Sequence, residues 1–403
     1  MIRKSLKNTV TSKWHIFIAV VISVLLTATQ GIFAAEEISS EEIIEEQARS
    51  DEFTSLKKQL EKYSSNEAKE LFEGYDPQSI LKDVSSGNFK FNFTGLLGRM
   101  ANYFFKEIYL NIHILIKLAI LVILCALLKN LQTSFLSESV GGLAFYVCYI
   151  VVVSIMILSF TSAMKLGIDI IDKMVGFMYS TLPILITLLV SGGNITSGGI
   201  FQPVLVMVTE VIATIIKNVF IPVILLSTIL TIVSNISEKI QVSKLADLMK
   251  KTVGVVLGLI LTAFVAVVSV QGSIGAVIDG VASKTAKYAI GAFIPVVGGY
   301  LADAADTVIG CTLLIKNAAG VAVMIGIAAI CIVPMIKIAA LVVLYKATCA
   351  LIQPISEKRI TECISGISDS LVYILGIVGA VAFMFLMSVT AIIGASNIST
   401  MVR

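Results

Sequence analysis

Seven charged side chains fall inside otherwise apolar stretches: Lys117, Glu210, Lys217, Asp303, Asp306, Lys316 and Lys337. An ion at membrane depth costs about 2.5–3.5 kcal/mol on insertion scales, so each needs a role or a route to water. Glu210, set between Val208 and Ile212, is the sharpest single candidate. Glu210 and Lys217 share a helix face but stand about 10 Å apart along the axis, too far to bond without a third group. Lys117 and Lys337 sit in matching contexts, Ile116-Lys117-Leu118-Ala119 and Ile336-Lys337-Ile338-Ala339. Two readings stand for that pair: lining a polar passage, or snorkelling to the headgroups. Lys117, Glu210, Lys217 and Lys337 together form the candidate polar pathway. Asp303 and Asp306 share a face three residues apart, as a cation or proton site or as a solvated hairpin tip.

Other chemistry has little material. The only histidines are His15 and His113, which leaves almost nothing for a zinc centre or a Ser-His-Asp triad. The six cysteines (Cys125, Cys148, Cys311, Cys331, Cys349 and Cys363) lie in or beside apolar runs without a CxxC pair, the pattern of small packing residues. The glycine cluster at Ser191–Gly199 lacks the lysine of a phosphate loop. No enzyme activity, cofactor, metal or nucleic-acid partner is expected.

These residues must be positioned by membrane-embedded helices. The chain is 57% hydrophobic and 14% charged, where soluble proteins carry about 25% charge, and its mean hydropathy is +0.95. Apolar runs of about 20 residues suffice for a crossing, which predicts spans at 110–130, 142–164, 219–235, 252–272, 332–352 and 370–394. Between them, residues 175–218 and 285–331 form two helical hairpins, re-entrant or fully crossing, broken by Ser191–Gly199 and by Ile294-Pro295-Val296-Val297-Gly298-Gly299. Backbone so interrupted is tolerated only where protein or water shelters it. Asp169, Asp172 and Lys173 are expected in a short link at the membrane surface. Pro183, Pro222, Pro295 and Pro334 are candidate hinges, since each removes a backbone donor. Gly254 and Gly258 make a G-x-x-x-G face that permits close helix contact.

The charges set a direction. Arg3, Lys4, Lys7 and Lys13 precede an apolar core at Ile16–Leu26, so residues 1–35 are a signal peptide or an N-terminal anchor. Either one exports the segment downstream of it. Residues 36–108 begin acidic and carry a broken apolar stripe from Ile43 to Tyr63, then an amphipathic helix over Leu96–Tyr109. They form a solvated helical collar or dock a partner. The basic loops at 235–251 and 345–362 belong in the cytoplasm.

The spans are repetitive. Pro183 and Pro222 recur as Pro295 and Pro334 at one common displacement, and Ile236-Ser237-Glu238-Lys239 returns as Ile355-Ser356-Glu357-Lys358. The fold class is therefore an all-α polytopic integral membrane protein over residues 109–403, with parallel repeated two-span units separated by broken helical hairpins.

The leader, the acidic exported region and the segments Phe177–Gly199, Asn218–Lys251, Ala292–Asp306 and Ile355–Gly394 together resemble the stage III sporulation protein AE family of endospore-forming bacteria. The resemblance implies a polytopic protein of the mother-cell membrane facing the forespore. It further implies other stage III channel proteins as partners, in a mother cell–forespore channel or secretion-like complex that sustains late forespore gene expression. It carries no catalytic residues. A stand-alone small-solute permease is the alternative, and an oligomer fits either reading.

Overall fold

The computed structural model describes residues 51–63, 70–72, 92–135, 138–236, 242–293 and 298–402. The expected leader, the acidic start of the exported region and Pro295 lie outside the described residues. The described chain is helical and contains no strand. Its elements are α1 (Asp51–Tyr63), α2 (Phe93–Phe135), α3 (Glu138–Ser191), α4 (Ile195–Ile215), a π turn (Ile216–Phe220), α5 (Ile221–Ile236), α6 (Ser243–Phe293), α7 (Gly298–Ile352) and α8 (Lys358–Val402).

Among the described residues, six helical segments are long and apolar enough to cross a membrane, each 36 to 47 residues long, with α4, the π turn and α5 counting as one. At 1.5 Å per residue they run about 54–70 Å, roughly twice the ~30 Å hydrocarbon core. The expected spans at 219–235, 252–272, 332–352 and 370–394 each lie within one of them; 110–130 runs two residues past the first, and 142–164 starts four residues before the second. The expectation of a separate link at 165–173 is corrected: these residues are uninterrupted helix within α3. No proline interrupts 165–173, and Lys173 pairs with Asp169 at the i,i+4 spacing that supports a helix. The amphipathic stretch from Leu96 likewise runs straight into the first span as α2. The arms of the first hairpin are thus continuations of the neighbouring spans.

The hairpin turn is where the glycines placed it. Gly193 adopts φ 82°, a left-handed conformation that costs a side chain about 1–2 kcal/mol. Gly193 N–H donates to Val190 O (2.9 Å) and Asn194 N–H to Leu189 O (3.3 Å), the paired bonds that close a helix C-terminus of the Schellman type. Pro222 explains the π turn in the same way. It lacks an N–H and crowds the carbonyl four residues before it, and one turn upstream the ladder widens so that Ile221 N–H reaches Ile216 O.

Helix directions follow from pairs that step oppositely. Tyr179 meets Glu210 while Asp172 meets Lys217, so α3 opposes α4. Lys316 meets Ile393 while Ser368 meets Val342, so α7 opposes α8. Lys250 meets Gly366 and Gly254 approaches Tyr373, so α6 and α8 run together, and both basic loops emerge at one end. Lipid supplies no hydrophobic drive between helices, so close approach and polar contacts hold them. Thr228 donates to Ser370 at 2.7 Å between α5 and α8, and a Cβ at Gly366 would stand 2.4 Å from the Thr231 methyl. The segment before the spans packs onto this bundle. Leu56 and Leu60 of α1 are buried, Tyr63 meets Phe177 edge-on at 5.7 Å between centroids, and Leu71 and Phe72 join Leu96, Tyr103, Val333 and Ile336 in one apolar cluster.

Candidate functional site

A polar strip runs along the exposed face of α3 and α4. On α3 it comprises Asp169, Asp172, Lys173, Tyr179 and Thr187, spaced so that each falls on one side of the helix, and all are exposed. On α4 and the π turn it comprises Glu210, Thr214, half-buried Lys217 and Asn218. Lys173 pairs with Asp169 at 2.8 Å, the Lys217 ammonium reaches the Asp172 carboxylate, and the Tyr179 hydroxyl donates to Glu210. From Asp169 to Thr187 the strip is about 27 Å long, close to the hydrocarbon thickness. Asp172 and Lys217 keep 50% and 36% of their side-chain surface exposed, so the strip is open along its length. On α3 its charged part, Asp169 to Lys173, lies between charge-free apolar runs at 139–164 and 174–191. Ions here need water on the open side, since lipid contact would cost about 2.5–3.5 kcal/mol per charge.

Among the buried charges, Asp279, Lys250 and Lys316 each tie two helices. Asp279, 2% exposed, accepts the N–H groups of Thr196 and Ser197, both at 2.8 Å. These are first-turn donors of α4, whose own N-cap residue Asn194 makes no side-chain cap, so α6 supplies the carboxylate that a helix N-terminus favours. Lys250, 4% exposed, donates to Gly366 O at 3.0 Å. Lys316, 1% exposed, donates to Ile393 O at 2.9 Å.

Known proteins share this sequence over most of its length. Residues 75–396 match the stage III sporulation protein AE family. The chain is 36% identical over 326 residues to Stage III sporulation protein AE of Bacillus subtilis (strain 168), covering 80% of this chain and 81% of that one. The chain belongs to the stage III sporulation protein AE family. No solved structure matches it. This family member is thus a sporulation protein built on membrane-crossing helices.

The four residues of the expected polar pathway lie on different helices of this family member. Glu210 and Lys217 do not serve each other; α3 gives each its own partner, Tyr179 and Asp172. Asp172 was legible only as part of a surface link, because the continuity of α3 through 165–173 was not, and Tyr179 was not singled out. Lys117 is exposed on α2 and Lys337 half-buried on α7. Asp303 lies in α7, and Asp306 pairs with Lys287 of α6 at 2.7 Å between Nζ and Oδ2. Among the hinge candidates, Pro183 and Pro334 lie inside uninterrupted α3 and α7, and Pro222 follows the π turn. Asp279 was missed, although it is the sole charge between Thr252 and Ser283. Among the described residues, no group of three or more His, Cys, Asp or Glu side chains is arranged to hold a metal.

Proposed function

We propose that the protein is the membrane-embedded base of a mother cell–forespore channel or secretion-like complex, seated in the mother-cell membrane and needed for late forespore gene expression. It acts there as a conduit wall and docking platform, not as an enzyme. The observation that carries this reading is the open polar strip on α3 and α4. A permease working alone encloses its polar groups near the bilayer midplane between its own helices. Here they face outward, so another protein surface must cover them to make a wet passage. Further copies of this chain or other stage III proteins supply that surface. Helix α1 packs on α3 and α7, and the rest of the exported region is the part offered to partners.

The test is site-specific photo-crosslinking in sporulating cells at engulfment, with the crosslinker at Thr187 or Thr214. The reading requires crosslinks from the strip to a protein. Crosslinks to lipid alone would exclude a covered passage, and a purified monomer that passes solutes in vesicles would favour the stand-alone permease.

A further inference from the structure

Helices α6 and α8 leave a groove of about 350 Å³ between them, lined by Val253, Gly254, Leu257 and Gly258 on one side and by Tyr373 and Gly376 among others on the opposite side. It is open because no side chain fills it: a Cβ at Gly258 or Gly376 would meet nothing within 4 Å. The lining runs from Val253 to Leu261 on α6 and from Val372 to Ala380 on α8, a length of about 12 Å. At about 12 Å the groove is only about two helical turns long and its lining is apolar apart from Tyr373, which suits part of one acyl chain.

Its basic end is built for a phosphate. Lys250 lies on the same helix stripe as Val253, Gly254, Leu257 and Gly258, one turn before them. Its ammonium spends one of three donors on Gly366 O. Lys251 and Lys244 are exposed beside it. The acids at this end are Asp247, Glu357, Glu362 and Asp369, which faces Lys346 at 3.9 Å. Lys244, Lys250, Lys251, Lys346, Lys358 and Arg359 outnumber them and leave it positive. No charge follows Lys251 on α6 before Asp279, or Asp369 on α8 through Val402, so the groove begins where hydrocarbon begins. By the positive-inside rule this end is cytoplasmic, and basic pockets between helices on that side recognise acidic headgroups.

We propose that the α6–α8 groove holds part of one acyl chain of an anionic phospholipid, whose phosphate sits at Lys250 and Lys251. The site is separate from the polar strip and does not depend on what the strip conducts.

Native mass spectrometry of the full chain in mild detergent tests it, titrating phosphatidylglycerol against phosphatidylethanolamine of identical chains. The wild type should hold one phosphatidylglycerol, about fivefold tighter than phosphatidylethanolamine for each lysine engaged. Gly258→Leu, whose side chain enters the groove, should lose both lipids. Gly376→Leu is a second route to the same loss should the first variant misfold, with the thermal midpoint checking each. Lys251→Gln should weaken only the preference for the anionic lipid. Equal binding of the two lipids, or unchanged binding after the groove is filled, overturns the proposal. A protein dimer that disappears in Gly258→Leu also overturns it, in favour of a second helix on this face.

Discussion

The carboxylate of Asp279 on α6 caps the first turn of α4, taking the Thr196 and Ser197 N–H groups at 2.8 Å each. The contact fixes the tip of the first hairpin to a helix 82 to 83 residues away in sequence. Hydrogen bonds to a charged group contribute about 1.5–3 kcal/mol, and losing a cap costs about 0.5–2 kcal/mol. Asp279→Ala should therefore destabilise the protein by about 2–3 kcal/mol. Asp279→Asn, with one acceptor oxygen, should fall between it and the wild type. Thermal unfolding in detergent reads the order, and equal midpoints for all three would remove the cap's role.

Lys217 and Asp172 answer to each other across α3 and the π turn. An exposed ion pair contributes only about 0.2–1 kcal/mol to stability, so single neutralisation should barely move the unfolding midpoint. Its effect should appear in heat-resistant spore yield, because each single reversal places two like charges together in the strip. The double exchange Asp172→Lys with Lys217→Asp should restore yield. Loss in the double exchange equal to that of either single would mean that the residues act separately.

Gly366 lets α8 approach α5. A Cβ there would come to 2.4 Å from the Thr231 methyl, and overpacking of this kind costs about 1–3 kcal/mol. Gly366→Ala should lower the unfolding midpoint, and adding Thr231→Ser, which deletes the methyl, should recover most of it. The comparison isolates the contact from helix propensity, since alanine alone favours a helix.

Particular residues explain how much was legible beforehand. The apolar runs gave the helical membrane class, because length and hydropathy are local properties. Gly192, Gly193 and Asn194 gave the first turn, because only a residue free to take positive φ closes that motif. The join across 165–173 was not legible: Asp169, Asp172 and Lys173 look like a surface break, and their partners on the π turn and within α3 show how a continuous helix accommodates them. The polar pairs were hidden for the same reason. Glu210 and Lys217 stand seven residues apart on one helix, and their partners lie 31 and 45 residues away. Such pairings depend on how α3 and α4 pack, which no local pattern encodes.

A wet passage requires that water reach the α3–α4 face while the rest of the bundle meets lipid. Cysteine accessibility in sporulating cells decides this, in a background whose six native cysteines are replaced. Single cysteines at Asp172, Thr187 and Glu210, and at the exposed apolar positions Ile116, Ile150 and Leu158, are treated with a membrane-impermeant maleimide. The first three should be labelled and the last three protected. Protection of Asp172, Thr187 and Glu210 together would show that no water reaches the strip, and the proposed conduit wall would fall with it.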